Sequence, residues 1–133
     1  VNIATFGGFI PSIVPNALGQ YLFAGPTTNV EITSATQRIS GAAVAALGLS
    51  AQLPTQDIIT GLCYLGSTGN ITNFVGNDFT IVKVSSTRFP YAAAASVSGL
   101  APGIYEVGFC VLNDAANTVG ANDFVNGWVM VTE

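Results

Sequence analysis

Residues 37–50 read QRISGAAVAALGLS, and the parity of this stretch decides the fold class. Ile39, Gly41, Ala43, Ala45, Leu47 and Leu49 fall on one parity, and Arg38, Ser40, Ala42, Val44, Ala46 and Ser50 on the other. The first set is apolar or glycine, and the second carries the polar residues. A repeat of two is the period of a strand with one face on a core. The Ala-rich middle leaves a short helix as the rival reading. Gly41 and Gly48 weigh against it, because glycine inside a helix costs about 1 kcal/mol relative to alanine.

The neighbouring segments repeat the pattern. Asn29 to Ser34 sets Val30 and Ile32 against Glu31 and Thr33, and Asp57 to Leu65 is apolar on both faces, as a central strand would be. Phe79 to Val84 and Phe89 to Val97 follow. Ala101-Pro102-Gly103 predicts a tight turn, with Pro fixing φ at the second position and Gly taking positive φ at the third. The turn launches Ile104 to Leu112, with Tyr105, Val107, Phe109 and Val111 facing one way. After a polar tip, Val125 to Thr132 closes the chain, with Trp128 and Met130 on one face and Val125, Val129 and Val131 on the other. About eight short strands separated by turn residues predict an all-β fold, an antiparallel β-sandwich or jelly roll.

Composition narrows the function. Of 133 residues, 8% are charged and 50% hydrophobic, the net charge is −4, and histidine is absent. Ordinary domains are about 25% charged. Arg38, Lys83 and Arg88 are the only cations, too few for a phosphate-binding patch, so nucleic acid is excluded as a partner. No apolar run is long enough to span a membrane as a helix. A Ser or Thr nucleophile lacks a His base, Lys83 sits between Val82 and Val84 like an outward strand residue, and the seven acids are scattered. No enzyme activity, cofactor or transition metal is expected.

Cys63 and Cys110 lie in the apolar runs Leu62-Cys63-Tyr64 and Phe109-Cys110-Val111. Two buried thiols are the reading for a reducing compartment, and a disulfide joining two core strands the reading for a secreted chain. Low lysine content, a Thr/Asn/Gly-rich composition and a first residue of Val1 rather than Met favour the secreted, extracellular reading.

The N-terminal stretch VNIATFGGFIPSIVPN is uncharged and carries Gly7-Gly8, Pro11 and Pro15. Proline excludes a central strand across all of it. Residues 1–16 are therefore expected to form an apolar arm or donor-type strand, and 17–133 a single sandwich domain. Val1, Ile3, Phe6, Phe9, Ile10 and Ile13 are the candidate assembly residues, packing on a neighbouring copy; an edge strand folded back on its own domain is the plainer alternative.

The loops offer weaker signals. Asn70-Ile71-Thr72 is an N-glycosylation sequon. Asp78, Asp114 and Asp123 each follow an Asn, and such oxygen donors suit Ca²⁺, although Asn-Asp pairs are also ordinary turn formers. Trp128, Tyr21, Tyr64, Tyr91 and Tyr105 are candidates for stacking on a carbohydrate, and core packing is their simpler role.

Leu100-Ala101-Pro102-Gly103-Ile104-Tyr105 and the last strand Phe124-Val125-Asn126-Gly127-Trp128-Val129-Met130-Val131 resemble two strands of the tumour-necrosis-factor-like jelly-roll heads of bacterial surface proteins. The resemblance covers a small part of the chain and implies a compact trimer with both termini near its base. Only 18 residues separate Tyr105 from Phe124, where that family usually inserts further strands. The leading expectation is a secreted structural subunit that self-assembles into an extracellular filament or surface polymer. The alternative is an oligomeric head, trimeric on this resemblance, that binds carbohydrate or another ligand.

Overall fold

A computed structural model describes residues 2–52, 55–76 and 80–133. Among the described residues every regular element is a strand: β1 (Asn2–Phe9), β2 (Leu22–Phe23), β3 (Thr28–Ile32), β4 (Arg38–Leu47), β5 (Gln56–Leu65), β6 (Thr72–Asn73), β7 (Ile81–Val84), β8 (Phe89–Ser98), β9 (Gly103–Leu112) and β10 (Phe124–Thr132). One sheet has the order β1-β10-β4-β8. The other is built on β9 and β5, with β2 and β3 flanking β9 and with β6 and β7 flanking β5. All pairings are antiparallel.

The order follows from one long hairpin. β1 pairs with β10, β3 with β9, β4 with β8 and β5 with β7, each ladder nested inside the last. Rolling that hairpin over adds β10–β4 and β9–β5 and closes two sheets face to face. This is a jelly roll, one way in which antiparallel proteins limit their exposed edges. The expected fold class is the observed one, and residues 38–47 are a strand rather than a helix. Ile39, Ala43, Ala45 and Leu47 are buried on the parity that faces the core. Gly41 sits on that same side, where a side chain would meet the Trp128 carbonyl and Val129 of the adjoining strand.

Inner residues of both sheets form one core, with Phe109, Ile58, Leu62, Val107 and Val129 among its buried members. A smaller cluster covers the outer face of the β5–β9 sheet. It holds Tyr21, Cys63, Cys110 and Leu112, with Phe23, Ile59 and Ile71 against it. Cys63 and Cys110 are joined in a disulfide with Cα atoms 5.7 Å apart. They lie diagonally across neighbouring strands, Cys63 opposite Gly108 and Cys110 opposite Gly61.

One expectation is corrected. The N-terminal stretch is not a free arm: Asn2–Phe9 pairs along its whole length with β10 as the edge strand of its own sheet. Phe6, Ile10 and Ile13 are buried in the chain's own core, which removes them as contacts for a neighbour, whereas Ile3 and Phe9 are exposed. Val1 lies outside the described residues. The physical reason is a fitted seat, since the Phe6 ring fills the space that a Cβ on Gly127 would need. Gly7-Gly8 lies inside this paired strand. Gly8, at φ 151°, lies against Pro26, where a Cβ would come within 2.7 Å of the ring.

At the turn before β9, Gly103 has the positive φ expected of it, at 158°, and Gly99 takes the left-handed conformation at φ 78°. The segment carries the chain from one sheet to the other. It is closed by the Tyr105 hydroxyl, which donates to the Ala101 carbonyl at 2.7 Å in the manner of a tyrosine corner.

Candidate functional site: a bare sheet face and a loop bowl

The two outer faces of the sandwich are unlike. Loops and the disulfide cluster cover the β5–β9 sheet, and among the described residues nothing covers β1-β10-β4-β8. Across that bare face Thr5, Trp128, Ala42 and Ala94 lie side by side, and the next row is Gly7, Asn126, Val44 and Ala92. A third row begins with Ile3 and Met130 and ends in Ser40 and Ser96, whose hydroxyls bond each other at 2.8 Å. None of these side chains is charged; Arg38 stands beyond the third row, bonded to Ser96.

Size sorts with position on this face. Ile3, Phe9, Phe124 and Trp128 make a ridge on β1 and β10, with Trp128 41% exposed and Ile3 67%. Phe9 and Phe124 meet edge to face, with ring centroids 6.5 Å apart. Alanines on β4 and β8 make a trough beside the ridge. Trp128, Thr5, Asn126 and Val44 close this into an open groove of about 630 Å³.

At one end of the β5–β9 sheet a second hollow, of about 350 Å³, lies between residues 66–72 and 100–104. Its floor is rigid, because Tyr64 stacks edge-on against Tyr105 at 5.9 Å and tilts against Phe74 at 6.0 Å. Asn70 of the sequon is exposed on its rim, and the Thr72 hydroxyl donates to the Asn70 carbonyl at 2.8 Å.

The Asn-Asp pairs divide by role. Asn122 is buried, donating to the Pro11 and Val119 carbonyls and accepting from the Gly48 amide. Asn113, also buried, donates to the Ile13 and Asn117 carbonyls and accepts from Gln56. Asp123 lies 3.7 Å from the Arg88 guanidinium, and Asp114 is exposed. Asp78 lies outside the described residues. Among the described residues no group of three His, Cys, Asp or Glu side chains is placed to hold a metal.

Tyr91 donates to the Lys83 carbonyl at 2.7 Å, and burial pushes its phenol above the ordinary value. Tyr21 accepts from Asn73 over the disulfide. The bare face itself was missed as a unit by the sequence reading. Its signal was present, since Ala42, Val44 and Ala46 make the solvent parity of residues 37–50 nearly as apolar as the core parity.

No protein-family model matches the chain, and no curated protein matches it. Among solved structures, the chain is similar to one described as "CBM4 structure and function", with a TM-score of 0.37 and 10% identity over 84% of this chain and 68% of that one. A likeness at that level assigns neither family nor function. No helix in the described residues is long and apolar enough to cross a membrane.

Proposed function

We propose that this protein is an extracellular jelly-roll head that assembles with copies of itself through the bare face of the β1-β10-β4-β8 sheet. The observation that carries the reading is the uncharged face itself, with Trp128, Ile3, Phe9 and Phe124 standing out of it. Four strands about 4.8 Å apart, followed for eight residues at about 3.3 Å each, give roughly 500 Å² of projected area. That is at the upper end of the roughly 300–600 Å² typical of the largest apolar patch on a monomer. It supplies most of the roughly 800 Å² per partner of a standard interface, before side-chain relief is counted.

A second copy is the occupant that fits. A ridge of large side chains beside a trough of alanines is complementary to the same surface turned around. With no charge on either side, no ion has to be desolvated. A contact of one patch with itself closes rather than grows, whereas a filament needs a second complementary patch. The N-terminal stretch that was expected to supply one is folded into its own sheet. The disulfide, together with the scarcity of lysine, supports an oxidising compartment outside the cytosol.

Sedimentation equilibrium tests the reading. The native chain should be oligomeric at micromolar concentration and insensitive to salt, while Ala94→Glu, in the middle of the trough, should give a folded monomer with an unchanged far-UV spectrum. A native chain that stays monomeric, or an Ala94→Glu oligomer of native size, sinks it. Negative-stain microscopy separates discrete particles from fibres, and long fibres would restore the polymer reading.

A further inference from the structure

Three of the four tyrosines engage their hydroxyls within the protein: Tyr105 with Ala101, Tyr91 with Lys83 and Tyr21 with Asn73. The Tyr64 hydroxyl bonds no protein group among the described residues, and Tyr64 lines the hollow between residues 66–72 and 100–104. The side chains of Ser67, Thr68 and Asn70 line the same hollow and bond no other side chain or backbone group among the described residues. The opposite wall is apolar, formed by Leu100, Pro102 and Ile104, with Ile104 57% exposed. No charged side chain lines it.

We propose that this bowl binds a neutral saccharide unit. A sugar presents hydroxyls on its edges and C–H groups on its faces, which matches neutral hydrogen-bonding groups on one wall and aliphatic side chains on the other. The volume of about 350 Å³ lies near the lower end of the range for small-ligand pockets, suited to one or two rings. An anion would find no cation here, and a metal ion no carboxylate. The site is built in advance: the Tyr64–Tyr105 and Tyr64–Phe74 contacts hold the floor, and the tyrosine corner holds the apolar wall. Preorganisation spares the ordering cost that otherwise weakens ligand binding. The bowl belongs to the β5–β9 sheet and stays open whether or not copies pack through the other one.

The test uses the whole chain, ¹⁵N-labelled and made in a host that does not glycosylate, so that Asn70 carries no glycan. N-acetylglucosamine, galactose, mannose and a glucose disaccharide are titrated separately. At least one should give saturable amide shifts confined to residues 64–72 and 100–105. Tyr64→Phe keeps the ring packing and should weaken binding about two- to tenfold, the weight of one neutral hydrogen bond. No saturable shift with any of the four, shifts centred on the Trp128 groove instead, or equal affinity in Tyr64→Phe each overturns the proposal. The Ala94→Glu chain should bind the sugar as the native chain does, so failure of the sugar site and failure of self-association are separate results.

Discussion

Asn122 shows how much one side chain can tie together. Its amide reaches the Pro11 carbonyl at 3.2 Å, the Val119 carbonyl at 2.9 Å and the Gly48 amide at 3.3 Å, joining the loops that follow β1, β4 and β9. Asn122→Ala strands the Pro11 carbonyl and the Gly48 amide, at about 1–3 kcal/mol each, whereas the Val119 carbonyl keeps the Ile13 amide as a donor. A fall in unfolding free energy of that order in urea is expected, and a loss below about 0.5 kcal/mol, the ordinary size of a surface effect, would contradict it. The exposed position of Asp114 and Asp123 was legible, because Asn-Asp is good turn chemistry. The burial of Asn113 and Asn122 was not, because their partners Ile13 and Pro11 lie about a hundred residues away. Tyr64 was legible as an aromatic in a strand, but only the fold reveals which of four tyrosines has its hydroxyl left over.

Among the elements, β1 departs most from its reading. Pro11 and Pro15 rightly exclude a central strand, and β1 ends before both of them, at an edge. What the sequence cannot supply is the partner: a strand of Val, Ile and Phe reads the same whether it pairs with its own last strand or a neighbour's. The decision rests on Gly127, which leaves a seat for Phe6, and on Ile10 and Ile13, which continue into the core. Phe6→Ala should therefore cost about 3–5 kcal/mol, and deletion of residues 1–10 should leave a chain without cooperative thermal unfolding. A truncated chain that melts as sharply as the native one would show that β1 is dispensable. β4 was read correctly as a strand, although it ends at Leu47 rather than Ser50, since its two parities differ in polarity at Arg38 and Ser40 even though alanines blur them further on.

On the scale of the whole molecule, the all-β sandwich was legible because period-two runs and turn residues are local signals, whereas the pairing order is not. The disulfide acts at this scale. It joins β5 to β9, enclosing β6, β7 and β8 in one loop, and in the chain-entropy account constrains the unfolded chain more than the folded one. Replacing both cysteines by alanine should lower the unfolding free energy by about 4 kcal/mol in the chain-entropy account. Guanidinium denaturation measures this, and an unchanged midpoint would mean that the bridge contributes no net stability.

The nesting of the ladders also sets an order in time. As this sandwich emerges from the ribosome or a translocation pore, β1 precedes its other strands, but β10, the strand that pairs with it, follows them all. The short β5–β6 and β5–β7 pairings can form early, and the successive ladders β4–β8, β3–β9 and β1–β10 close around them as the rest arrives. Non-local pairings of this kind are slow, because the entropy of bringing distant segments together is spent before contacts reward it. Until the final strand is delivered, Phe6 has no Gly127 to lie over. The nascent domain thus carries an unpaired apolar strand from the emergence of β1 to that of β10, which makes β1 the natural point of chaperone engagement.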